Sequence, residues 1–120
     1  GMNVIRAVLP GMLERGWGRI VTVGARPALD PAPNMAAYAA AKAAVVAATR
    51  SLGRELRGTG VVANCILPST IDTPQNREAM PKANPDRWVK PEQIGRVVAF
   101  LCSDDAAIIN GAAIPVYGDA

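Results

Sequence analysis

Two short β-branched runs, Arg19 to Val23 (Arg-Ile-Val-Thr-Val) and Val61 to Leu67 (Val-Val-Ala-Asn-Cys-Ile-Leu), stand on either side of a long alanine-rich segment, and this arrangement restricts the fold more than any other feature of the chain. Runs that are apolar at most positions, rather than at alternate ones, suit strands buried on both faces, as in parallel sheets. The segment between them, Met35 to Arg57, is predicted to be helical, closed by Gly58 and Gly60. Between Met35 and Thr49 its only charge is Lys42 and nine positions are alanine, so it is apolar nearly all round. A helix of that kind is covered on more than one side. Strand, helix and strand then make a right-handed crossover with parallel strands.

The remaining elements extend this unit. Val4, Ile5, Val8, Leu9, Met12 and Leu13 recur at helical spacing from Met2 to about Arg15, with Gly16 as a stop and Pro10 expected to kink or loosen the helix. Three prolines mark a loop from Ala25 to Pro33, and Asn34 is the expected N-cap of the alanine-rich helix. A polar loop from Ser69 to Lys90 follows the second strand; its length suits a lid or binding segment. Pro91 then opens a helix running to about Ser103, although Lys90 is a poor cap of the wrong charge, and Ala112 to Tyr117 reads as a last strand. The expected architecture is a single α/β domain over residues 1–120. It is a partial doubly wound, Rossmann-type parallel sheet of about three strands with flanking helices, two or three strands short of the usual sheet.

Composition removes several function classes. The net charge of +3 comes from 13 basic and 10 acidic residues scattered along the chain, and with 4% aromatics there is no basic stripe with stacking rings, so no nucleic-acid partner is expected. No apolar run is long enough to span a membrane and no signal-peptide pattern opens the chain, which makes cytoplasmic the default expectation. Cys65 and Cys102 lie in apolar surroundings and are expected to be buried structural thiols; without histidine there are too few ligands for zinc, and no metal site is expected. Acid/base chemistry must fall to Tyr, Lys or a carboxylate.

Ligands of open parallel sheets bind beyond the carboxyl ends of the strands. The first strand ends at Gly24 and Ala25, the second at Pro68 to Thr73, and the turn carrying Tyr38 follows the loop that leaves the first. One cleft can hold all three. Tyr38 and Lys42, four residues apart, share a helix face one turn apart, where an ammonium favours the phenolate over the phenol and can also donate to cofactor hydroxyls. The alternative packs the Tyr38 ring in the core and runs Lys42 out to the surface. Ser69, Thr70 and Thr73, with the backbone of Ile71, suit a phosphate or an amide-bearing ring, or simply form a polar loop. Met80 and Trp88 are candidates to face a flat substrate, Trp88 being the better suited to close the loop onto the core.

Gly18-Arg-Ile-Val-Thr-Val-Gly24, Tyr38-Ala-Ala-Ala-Lys42, Val62-Ala-Asn-Cys-Ile-Leu-Pro68 and Gly111-Ala-Ala-Ile-Pro-Val116 together resemble, in the right order, the carboxyl-terminal half of a short-chain dehydrogenase/reductase. The resemblance implies hydride exchange with NAD or NADP. Tyr38 would be the proton donor and Lys42 would bind the nicotinamide ribose, with Pro68, Ser69, Thr70, Ile71 and Thr73 holding the carboxamide and diphosphate. It also implies a homo-oligomer built through helices 2–15 and 35–57, which fits the second apolar face of the alanine-rich helix. The family's catalytic serine falls at Ala25, which has no hydroxyl. In this the chain is similar to the dihydropteridine-reductase branch, as it is in Gly24-Ala-Arg-Pro-Ala-Leu-Asp30, in Leu67 to Arg77, and in Met80-Pro81 with Trp88. A pterin-like substrate would meet Gly24, Ala25, Met80 and Trp88. The family's glycine-rich diphosphate turn has no counterpart here, so the expectation is a truncated product or fragment with weak or no activity alone. The alternative is a truncated, non-catalytic α/β module stabilised by oligomerisation.

Overall fold

The computed structural model describes all 120 residues. Helix α1 (Met2–Arg15) runs unbroken through Pro10 and ends on Gly16 in the left-handed conformation, φ 65°, where glycine carries no Cβ penalty. Strand β1 (Gly18–Val23), helix α2 (Ala36–Glu55) and strand β2 (Val61–Pro68) follow. Short helix α3 (Pro74–Ala79), helix α4 (Pro91–Leu101) and strand β3 (Ala113–Val116) complete the chain. The three strands form one parallel sheet in the order β1-β2-β3.

Side-chain alternation along the strands divides the core between two faces. Ile20 and Ala63 pack with Ile5 of α1 and with Leu52 and Leu56, while Cys65 and Leu67 meet Val46 of α2. On the other face Val21 and Ile66 meet Leu101 and the apolar stripe of α4, Ile94, Val97 and Val98. Every residue of β2 is buried, as its unbroken apolar run requires. The polar exception, Asn64, is 1% exposed and fully used: its Nδ2 donates to the Ile109 carbonyl at 2.7 Å and its Oδ1 accepts from Ala112 N at 3.0 Å. That pair ties the approach to β3 onto the central strand.

Four sequence expectations need correction. Asn34 is not the N-cap of α2: it sits at φ 64°, a left-handed conformation that asparagine tolerates well, and Met35 takes the cap position without a side-chain bond. Residues 69–90 are not a plain loop. The Thr73 hydroxyl caps α3 by accepting from Asn76 N, Pro85–Arg87 form a 3-10 turn, and a parallel bridge between Ile71 and Val89 draws the two ends together. Lys90 is not a poor start for α4, because its N–H donates to the Gln93 side chain and its ammonium is paired with Asp72. Cys102 is exposed; only Cys65 is buried.

Candidate active site

A cleft of about 580 Å³ opens beyond the carboxyl ends of β1 and β2. It collects Gly24 and Ala25 from the end of β1, Tyr38 and Lys42 from the first two turns of α2, and Pro68, Ser69, Thr70 and Ile71 from the end of β2. Met80, at the end of α3, lines it as well. Thr73 and Trp88 do not. The Thr73 hydroxyl is spent on the α3 cap, and Trp88 is 8% exposed, packed into the protein where the segment returns to the sheet.

Tyr38 is 47% exposed, so its ring is not a core element. The Lys42 Nζ lies 5.8 Å from the Tyr38 ring centroid and donates to the Val23 carbonyl at 3.4 Å. The ammonium is thereby held between the end of β1 and the phenol ring, without a carboxylate partner. Across the cleft, Ser69 is anchored to the last strand: its hydroxyl donates to the Tyr117 carbonyl at 2.8 Å and its N–H to the Val116 carbonyl at 3.4 Å. The Ile71 carbonyl accepts from Asn76 Nδ2 at 2.7 Å and the Thr70 carbonyl from Val89 N at 3.0 Å. The N–H groups of Thr70 and Ile71 have no intrachain acceptor. Held by these carbonyl contacts, that short stretch presents donors, the arrangement that accepts an oxygen-rich group.

The base of this segment is an ion cluster. Asp72 accepts from Arg77 Nε at 2.6 Å and Nη2 at 2.9 Å, a two-pronged contact, and pairs with Lys90 as well. Hydrogen bonds from Arg77 and then Lys90 hold the Asp72 carboxyl well below the usual carboxylate range, and the same contact raises the Arg77 guanidinium. Sequence reasoning passed over this cluster. It also passed over Arg26 and Asn76, which line the cleft. Arg26 follows Ala25 directly, and its guanidinium lies 5.1 Å from the Tyr117 ring centroid while donating to Asp30 and to the Ala120 carbonyl. The readable signal was its position as the first charge after β1.

A second concavity of about 720 Å³ lies between α1, β1 and α2, lined mostly by apolar side chains such as Val4, Val8, Ile20 and Val45. It brings together no pair like Tyr38 and Lys42, which makes the cleft the better candidate.

The chain matches the model of a family described as enoyl-(acyl carrier protein) reductase over residues 1–118. It is 38% identical over 122 residues to a 3-oxoacyl-(acyl-carrier-protein) reductase of Pseudomonas aeruginosa, covering 94% of this chain and 49% of that one. It is 34% identical to dehydrogenase/reductase SDR family member 4 of Oryctolagus cuniculus, covering 96% and 48%. Among solved structures, a 3-oxoacyl (acyl-carrier-protein) reductase of Agrobacterium tumefaciens with NADP bound superposes with a TM-score of 0.87 at 28% identity, over 99% of this chain and 51% of that chain. A 3-ketoacyl-(acyl-carrier-protein) reductase of Brucella melitensis complexed with NADH gives 0.81 at 31%, over 95% and 50%. The chain thus spans about half the length of the curated relatives it matches. Parallel sheet, cleft position and these matches agree: the chain belongs to the short-chain dehydrogenase/reductase family.

Proposed function

We propose that this chain is the catalytic half of an NAD(P)-dependent oxidoreductase, in which Tyr38 moves the proton. The observation that carries the reading is the convergence of Tyr38, Lys42 and the Ser69–Ile71 backbone on one cleft. The nicotinamide side of NAD or NADP fits these residues: the Lys42 ammonium can donate to ribose hydroxyls, and the open N–H groups of Thr70 and Ile71 to a carboxamide or phosphate oxygen. The adenosine side finds no glycine-rich turn among residues 1–120. The cofactor, when bound, supplies or accepts the hydride. In the reducing direction the Tyr38 hydroxyl donates its proton to the substrate oxygen or nitrogen that gains negative character, with the Lys42 ammonium 5.8 Å from the ring centroid. Ala25 provides no hydroxyl to polarise a carbonyl, so the substrate must be activated without one. A quinonoid dihydropterin suits that requirement, and the likeness of Leu67–Arg77, Met80 and Trp88 to the dihydropteridine-reductase branch supports the same substrate class.

Titrating the chain with NADH and NADPH, followed by nicotinamide fluorescence or heat, tests the reading. Saturable binding that Lys42→Met weakens at least tenfold is expected, and no saturation below millimolar cofactor overturns cofactor binding by this chain. A second reading, a non-catalytic module held by self-association through α1 and α2, rests on their exposed apolar side chains, among them Val4 and Val8. It predicts no cofactor binding at all.

A further inference from the structure

The later turns of α2 carry Arg50 and Arg54 one turn apart on one side of the helix, and Arg57 follows in the turn just beyond its end. None pairs with a carboxylate; the chain's ion pairs use Arg19, Arg26, Arg77 and Lys90. With Gly53, Asn110 and Gly111 these arginines line a concavity of about 260 Å³ that contains no apolar side chain. Its floor is built. Asn110 Nδ2 donates to the Gly53 carbonyl at 2.7 Å and its Oδ1 accepts from Ala63 N at 3.1 Å. Helix and loop approach so closely that a Cβ on Gly53 would lie 2.7 Å from the Gly111 Cα.

The negative end of a helix favours cations, which accounts for Arg54 in the last turn but not for Arg50. Like charges four residues apart destabilise a helix, as Arg50 and Arg54 do here, and with Arg57 the three unpaired guanidiniums match in size the chain's whole net charge of +3. An anion seated among them removes that repulsion. Guanidinium forks match phosphate oxygens in pairs, and the volume lies below the roughly 300 Å³ at which pockets for drug-sized ligands begin. We propose that this pocket binds a small phosphate-type anion: inorganic phosphate, pyrophosphate or the terminal phosphate of a monoester. Arg54 lies sixteen residues beyond Tyr38 on the same helix, about 24 Å along its axis, so the site is separate from the cleft and independent of the reaction proposed there.

The test is a titration of the whole chain with pyrophosphate, phosphate and phosphoserine against chloride at matched ionic strength, read by heat and by backbone amide shifts. Saturable pyrophosphate binding is expected to shift Gly53, Asn110 and Gly111. It should weaken at least tenfold in Arg50→Gln/Arg54→Gln, whose exposed side chains leave the core intact, and stay unchanged in Lys42→Met. Phosphoserine binding as tight as phosphate identifies an esterified source, and weaker binding the free ion. No saturation below about ten millimolar, shifts confined to the cleft, or equal affinity in the double arginine variant would each overturn the proposal.

Discussion

At the scale of single residues, the proposed chemistry and the stability of the fold rest on different polar groups. In the chain fused to the amino-terminal half of a relative, Tyr38→Phe should lower turnover by about 10²- to 10⁴-fold, the usual worth of a positioned proton donor, with little change in cofactor affinity. An undiminished rate measured by NADPH oxidation would remove Tyr38 from the mechanism. Asn64 serves the fold instead. Asn64→Ala leaves the Ile109 carbonyl and the Ala112 N–H without partners beside a fully buried strand, a loss of about 2–4 kcal/mol by urea unfolding. The candidate pair was readable from the sequence because a lone charge in an apolar helix is conspicuous. Asn64 was not. In the run Val62-Ala-Asn-Cys-Ile it is one polar residue in a strand whose apolar neighbours dominate the pattern, and its hydrogen-bond partners lie 45 and 48 residues away. Arg26 escaped for a related reason: its position as the first charge after β1 was readable, but not the direction in which the proline-rich loop turns it.

At the scale of elements, periodicity revealed those long enough to show it: α1, β1, α2, β2 and α4 run close to their expected limits. It failed for α3, whose six residues span less than two turns and whose start is set by the Thr73 cap and Pro74 rather than by an apolar stripe. It failed also at Asn34, because asparagine is favoured both at N-caps and at positive φ, and only the surrounding turn decides. Two predictions belong to these elements. Gly53→Ala ordinarily strengthens a helix by about 1 kcal/mol, but here the new Cβ meets Gly111 backbone at 2.7 Å, so a net loss of about 1–2 kcal/mol is expected in thermal or urea unfolding. A gain would mean the loop yields. Asp72 sets a pH dependence. Its native carboxyl titrates below the unfolded value of 3.8, so its contribution is complete above that pH and declines as the pH falls toward the depressed native value. The unfolded chain takes up that proton first. Asp72→Asn should therefore be less stable than the parent at pH 7, with the gap closing below about pH 4; a gap constant with pH would show that the cluster with Arg77 and Lys90 is not what stabilises the segment.

At the scale of the whole molecule, surface area is the informative quantity. The chain exposes 7444 Å², whereas a folded monomer of 12.5 kDa exposes about 6,200 Å². Its radius of gyration, 15.5 Å, likewise exceeds the roughly 13.6 Å of a compact 120-residue domain. The surplus of roughly 1,200 Å² is more than the ~800 Å² that each partner contributes to a standard interface. Much of it is apolar: Met2, Val4, Val8 and Leu13 of α1 and Val23 of β1 are exposed, beside the groove between α1, β1 and α2. β1 is moreover an edge strand, paired only with β2, which leaves one side of its backbone open. The all-round apolarity of α2 announces its share of this surface, but the share of α1 has no such sign, since a residue facing a groove and one facing the core repeat at the same interval. We propose that a second copy covers the apolar face of α1 and α2, since the same patch on each subunit can be buried at once around a two-fold axis. Sedimentation at micromolar concentration should then give twice the chain mass or more. Val4→Lys, which alters a side chain 65% exposed and so leaves the monomer's packing intact, should raise the dissociation constant at least tenfold. A parent chain that sediments as a well-behaved monomer would rule out this contact and leave the groove open to a different occupant.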